Sequence, residues 1–203
     1  MKKIDRRVLR TKRLLREAML ECYKDKNYSS ITIQDITEKA GLNRATFYLH
    51  YEGKEELMLD SLEAKFDELV VKIDQALDGK NIMFTTISEE ILFEHVRDNH
   101  ALYKLLLSRS GPGFVMLRML DYIACFGQER IEAIVPKDME LPVPLDVISH
   151  HVAGGLFSLL RWWVMEDMPK PIKEMAEISS RISTYGTLSL FEGMFGEFSQ
   201  ESE

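Results

Sequence analysis

The chain has 203 residues, 45% hydrophobic and 29% charged, which is apolar enough for a folded core and excludes wholesale disorder. A formal net charge of −7 argues against a nucleic-acid partner only if the charge is evenly spread, and it is not. Residues 1–54 hold 13 Lys and Arg against 7 Asp and Glu, a net of +6, while the other 149 carry a net of −13, so a basic module at 1–54 precedes an acidic body at 55–203.

All six prolines fall between Pro112 and Pro171, and the first 110 residues hold three glycines, Gly41, Gly53 and Gly79, so long uninterrupted helices are expected. The stripe Leu15, Ala18, Met19, Cys22 predicts a first helix over 6–25. Residues 31–37 alternate in part like a strand, but Thr32 and Asp35 have capping-box spacing, and Ile33, Ile36 and Ala40 share one helical face, which predicts a second helix over 33–40. A third is expected over 44–51. A fourth is expected over 54–77, where Leu59, Leu62, Phe66, Leu69, Ile73 and Ala76 recur in steps of three and four until Asp78-Gly79-Lys80. Further helices are predicted near 87–98, 101–108, 114–134, 145–166 and 172–185, with a short one at 189–194 and a long irregular connection over 136–144. The fold class is all-α, with about nine helices.

Cys22 and Cys125 stand 103 residues apart, with neither disulfide nor metal spacing. The opening residues have charge but no apolar run behind it, and the uncharged stretch 147–160 is too short to span a bilayer, so a cytoplasmic protein with no membrane partner is expected. No Gly-rich phosphate loop or nucleophile–His arrangement is present, and the expectation is of no enzyme and no cofactor.

Function concentrates in residues 32–54. Two short helices meet at Ala40-Gly41-Leu42-Asn43, where Gly41 suits a left-handed C-cap, Leu42 plugs the core and Asn43 caps the next helix. This is the turn that lets a second helix enter a DNA major groove. Arg44 and Thr46 open that helix, Arg suited to guanine O6 and N7, and Thr to a thymine methyl. Ala45 allows close backbone approach, and Phe47 is assigned to the core. Tyr48, His50, Lys54 and Thr32 are candidates for phosphate oxygens, Lys54 and Thr32 at the starts of helices. Lys2, Lys3, Arg6 and Arg7, at the entry to the first helix, suit a neighbouring minor groove.

The run Thr32…Ala40-Gly41-Leu42-Asn43-Arg44-Ala45-Thr46-Phe47-Tyr48-Leu49-His50-Tyr51-Glu52-Gly53-Lys54-Glu55-Glu56-Leu57 resembles the N-terminal domain of TetR-type transcriptional regulators over about residues 8–60. The resemblance implies a three-helix DNA-binding head, base contacts at Asn43, Arg44, Ala45, Thr46, Tyr48 and His50, and phosphate contacts at Thr32, Tyr48 and Lys54. It also implies a homodimer on a palindromic double-stranded DNA operator and an all-α body that senses a small-molecule effector. Leu49 and Gly53 depart from the family pattern. The stretch 152–164, with Met168-Pro169 and 172–178, is similar to the C-terminal region of one TetR-like subgroup. There Val152, Gly155, Leu156, Leu159 and Trp163 form an apolar stripe expected at a dimer interface.

Tyr103, Met116, Met119, Tyr122, Phe126 and Trp162 are candidate walls of an effector pocket. His95, His100, His150 and His151 do not suggest a metal, since adjacent His150 and His151 point about 100° apart. The expected function is a repressor released by its effector. The alternatives are an activator, a regulator answering a protein partner, and a helical small-molecule-binding protein without DNA function.

Overall fold

The computed structural model describes residues 6–78, 85–108, 111–136 and 143–186. Among them are nine α-helices and one 3₁₀ turn: α1 Arg6–Asp25, the turn Tyr28–Ser30, α2 Ile33–Ala40, α3 Arg44–Tyr48, α4 Lys54–Ala76, α5 Thr86–Asp98, α6 His100–Leu106, α7 Gly113–Ile134, α8 Leu145–Met165 and α9 Ile172–Tyr185. They form two compact units, one of residues up to Val71 together with Asn99–Met119, the other of Lys72–Asp98 and the residues from Leu120 onward.

In the first unit the stripe Leu15, Ala18, Met19, Cys22 is buried as expected, and α1 packs on α2 and α6. Ion pairs Lys39–Asp25 (2.8 Å) and Lys26–Asp35 (2.7 Å) tie α2 to the end of α1. Thr32 and Asp35 form the capping box, Thr32 Oγ1 accepting from the Asp35 N–H at 3.1 Å and the Asp35 carboxylate accepting from the Thr32 N–H at 2.9 Å. The Lys26 ammonium, and after it the Thr32 N–H and hydroxyl that both donate to it, hold the Asp35 carboxyl far below the usual carboxylate range.

α3 stops at Tyr48, short of the expected 51. The chain tightens there, with His50 N–H donating to Phe47 O at 2.9 Å and Tyr51 N–H to the same oxygen at 3.1 Å, and this turns the Tyr51 ring inward against Phe47. Tyr51 is buried and donates to Asp60 on α4. The 3₁₀ turn had no sequence signal.

In the second unit α9 lies along α5 and also touches α8. Phe93 meets Trp163 edge-on at 5.1 Å, and the indole N–H of Trp163 donates to Lys170 O at 2.9 Å. The inward face of α8 is Ser149, Ala153, Phe157, Leu160, Trp163 and Val164. Trp163, expected on an outward stripe, is therefore core. Past Ala76 of α4, Asp78 takes a positive φ of 51°, while Gly79, the helix expected at 189–194 and most of the 136–144 connection lie outside the described residues.

Candidate nucleic-acid interface

The α2–α3 turn is built from local chemistry. Gly41 sits at φ 66°, ψ 34°, and its N–H and that of Leu42 close on Glu38 O and Thr37 O at 3.1 and 2.9 Å. Asn43 caps α3, its Oδ1 accepting from the Thr46 N–H at 2.7 Å and the Thr46 hydroxyl at 2.9 Å. That leaves Thr46 its methyl and an acceptor oxygen, and leaves Asn43 its amide N–H₂ for a base edge.

Phe47 anchors α3, fully buried as expected, and the opposite face is open. Arg44 and Ala45 are exposed, Tyr48 is 52% exposed with its ring edge-on to Phe47, and His50 is half-buried. Leu49, which sequence reasoning set aside, is 79% exposed, the most exposed large apolar residue described. Arg44, Ala45, Tyr48 and Leu49 follow the spacing of one helical face, so the five-residue helix and its C-cap Leu49 present a cation, a flat backbone, a phenol and an apolar tip together.

Two expected phosphate contacts have other partners. The Thr32 hydroxyl donates to Asp35 at 2.8 Å, which puts an ionised carboxylate beside the start of α2. The Lys54 ammonium donates to Tyr28 O (2.8 Å), Ile31 O (2.9 Å) and Ser29 O (3.3 Å), with the Tyr28 ring centroid 4.6 Å away. Lys54 opens α4, but its three donors already have three acceptors. Arg6 and Arg7, at the start of α1, are exposed, whereas Lys2 and Lys3 lie outside the described residues.

Residues 15–60 match the family described as bacterial regulatory proteins, tetR family, and residues 88–185 match its partner description, a transcriptional regulator C-terminal region. The chain belongs to the TetR family. An uncharacterized HTH-type transcriptional regulator, YxbF, of Bacillus subtilis (strain 168) is 46% identical over 70 residues, 34% of this chain and 18% of that relative. The chain thus spans about a fifth of that protein's length. A TetR transcriptional regulator from Streptococcus agalactiae 2603V has a TM-score of 0.61 at 22% identity, covering 88% of this chain and 96% of that one. The transcriptional regulator FadR from Bacillus subtilis, solved in complex with stearoyl-CoA, also has a TM-score of 0.61, at 14% identity over 86% of this chain and 98% of that one. At these identities the likeness is one of fold, and the fold is all-α as expected.

In this TetR-family chain the candidate pocket residues divide between the two units. Tyr103 and Met119 are closed into the core of the first, where burial alone pushes the Tyr103 hydroxyl well above the usual phenol range. Met116 is half-buried in that same unit. In the second, Tyr122 and Phe126 are half-buried on α7, the Phe126 ring 4.8 Å from the Arg130 guanidinium, and Trp162 is 42% exposed on α8. Of the candidate interface residues, Gly155 is exposed and Val152, Leu156 and Leu159 are half-buried. The outward face of α8 runs instead through Val147, His151, Gly154, Gly155, Ser158 and Trp162. His95 is buried and His150 Nδ1 pairs with Asp146 O at 2.7 Å. Among the described residues no three His, Cys, Asp or Glu side chains group as a metal set, and no helix is long and apolar enough to cross a membrane.

Two polar positions in the body escaped sequence reasoning. Glu89 is 4% exposed and accepts from the Ser179 hydroxyl at 2.9 Å. Its signal was in the pattern: Glu89, Phe93 and Val96 fall in steps of four and three, a carboxylate on an apolar stripe.

Proposed function

We propose that the protein is a DNA-binding transcriptional repressor that grips a palindromic operator as a homodimer and is released by a small-molecule effector. The observation that carries this is the open face of α3, with Arg44, Ala45, Thr46 and Tyr48 on one short helix anchored from behind by Phe47 and capped by Asn43, and His50 in the turn that follows. Its basic surroundings, +6 over residues 1–54, attract phosphate, while the −13 body stays off the duplex and keeps the effector and dimer tasks. Tyr48 reaches the backbone from the end of α3. Thr32 approaches it only as far as Lys26 offsets Asp35.

Two copies are needed because a palindrome offers two half-sites on one face of the duplex, centred about 34 Å apart or a multiple of that. The outward face of α8, free of bulk at Gly154, Gly155 and Ser158, is the surface proposed for pairing. The effector shifts the population toward a dimer whose heads are mis-spaced for successive grooves. An apolar acyl chain is the class to try first. FadR of similar fold was solved with stearoyl-CoA, and Tyr122 and Phe126 offer this chain an apolar wall.

Selection from random duplexes tests the reading, with an inverted repeat at one-turn spacing as the expected product. Tyr48→Ala should lose retention of that repeat with the helical circular-dichroism spectrum unchanged. Titrating stearoyl-CoA into the complex should lower affinity. Selection that enriches no sequence would sink the DNA-binding function, and a complex indifferent to acyl-CoA would sink only that effector class.

A further inference from the structure

We infer that Asp60 of α4 is a positioning residue for base readout: its carboxylate fixes the exit of α3 through Tyr51 and ties that exit to α1 through Lys12 and Arg16. This rests on the DNA-binding reading above. A helix of five residues has too few internal hydrogen bonds to hold a direction of its own, so its anchors set the angle at which it meets a groove. At the entry of α3 the anchor is the Asn43 cap, and in the middle it is Phe47. At the exit it is Tyr51, 2% exposed, whose ring lies 5.8 Å from that of Phe47 and whose hydroxyl donates to Asp60 Oδ2.

The same oxygen faces two cations of α1, Arg16 at 3.8 Å and Lys12 at 3.9 Å, and the Lys12 ammonium stands 5.0 Å from the Tyr51 ring centroid. One carboxylate oxygen thus joins α1, the turn after α3 and α4, all within the unit that holds the head. Burial, and after it the bond to Asp60, holds the Tyr51 hydroxyl well above the usual phenol range, so it remains a donor. A phenol donating to a carboxylate is among the stronger classes of hydrogen bond. The main chain just beyond is held separately, Glu52 N–H donating to Glu56 at 2.7 Å, so losing the hydroxyl bond frees the exit of α3 and leaves the start of α4 in place. Tyr48, Leu49 and His50 immediately precede Tyr51 and move with it. A helix free to swing still attracts phosphate but presents its base-reading side chains only part of the time, and apparent operator affinity falls by that fraction.

Affinities of the full-length chain for the selected operator and for a random duplex separate positioning from mere loss of fold. In Tyr51→Phe, which keeps the ring and loses the hydroxyl, operator affinity should fall about tenfold while random-duplex affinity stays within about twofold. In Asp60→Ala operator affinity should fall as far, and random-duplex affinity should hold or rise, because Lys12 and Arg16 lose their counter-charge. The double variant should lose no more than the worse single one, since both remove the same bond. Equal losses on both duplexes, operator affinity within about twofold of the unaltered protein, or losses that multiply in the double variant would each overturn the proposal.

A second measurement needs no DNA. Hydrogen exchange in the free chain should find the His50 and Tyr51 amides, both bonded to Phe47 O, faster in either variant, with those of α9 unchanged. Unaltered rates at His50 and Tyr51 overturn the anchor. Should Asp60→Ala fail to fold, Tyr51→Phe carries both measurements. If the unaltered protein prefers no duplex over another, the function above fails, while exchange in the free chain still decides the anchor.

Discussion

Gly41 is the residue on which the head turns. Its φ of 66° lies where a side chain strains the backbone, yet a Cβ built there meets nothing within 4 Å. The cost of Gly41→Ala is therefore backbone strain alone, about 1 kcal/mol. It should appear as a lower midpoint of chemical denaturation with an unchanged slope. Gly41, Asn43 and the Thr32–Asp35 pair were all readable in the sequence because each finds its partners within four residues along the chain. Lys54 was not, since its acceptors lie 23 to 26 residues earlier and only the fold brings them under its ammonium. From the sequence it was a cation at a helix start, a position that suits phosphate equally well.

Helix boundaries were legible, the ends of α3 and α6 excepted, because apolar spacing and proline placement are local. Which side of a helix faces in was not always so. α8 has apolar residues on two stripes, Val152, Leu156, Leu159 and Ala153, Phe157, Leu160, Val164, and periodicity alone cannot rank them. Packing against α9 and Phe93 selects the second and takes Trp163 with it. The pairing of α5 with α9 also buries Glu89, whose carboxyl is pushed up to about 7 by burial against the opposing pull of the Ser179 hydroxyl. A carboxyl whose folded pKa is raised favours the native state in its protonated form. That contribution is complete below about 4.5, the ordinary value, and is lost as pH rises through about 7. Glu89→Gln removes the titration and retains an oxygen for Ser179. Its stability relative to the unaltered protein should rise between these two values and level off at an advantage of about 3 kcal/mol. Urea denaturation of both proteins at pH 5 and about pH 8 checks this; equal gaps at both would contradict it.

At the scale of the whole chain, the average charge hides the working arrangement, a +6 segment ahead of a −13 remainder. Residues 1–54 should thus supply nearly all of the salt-dependent DNA affinity. Deleting residues 1–7, which removes Lys2, Lys3, Arg6 and Arg7, should weaken operator binding and flatten its salt slope, whereas an unchanged slope would dismiss the arm. The split at residue 54 is one of charge. The compact unit that holds the head runs on to Val71 and takes in Asn99–Met119, a grouping that no contiguous reading of sequence displays. On the outer side of α8, Gly154, Gly155 and Ser158 have almost no rotamers to freeze. A second helix covering them avoids the ~0.5–1.5 kcal/mol of ordering that each long side chain costs at an interface. The cost falls on the uncovered chain, where each interior glycine weakens its helix by about 1 kcal/mol relative to alanine. If two copies pair over that face as proposed, pairing and the order of α8 rise and fall together, and the amide hydrogens of α8 should exchange more slowly as protein concentration increases.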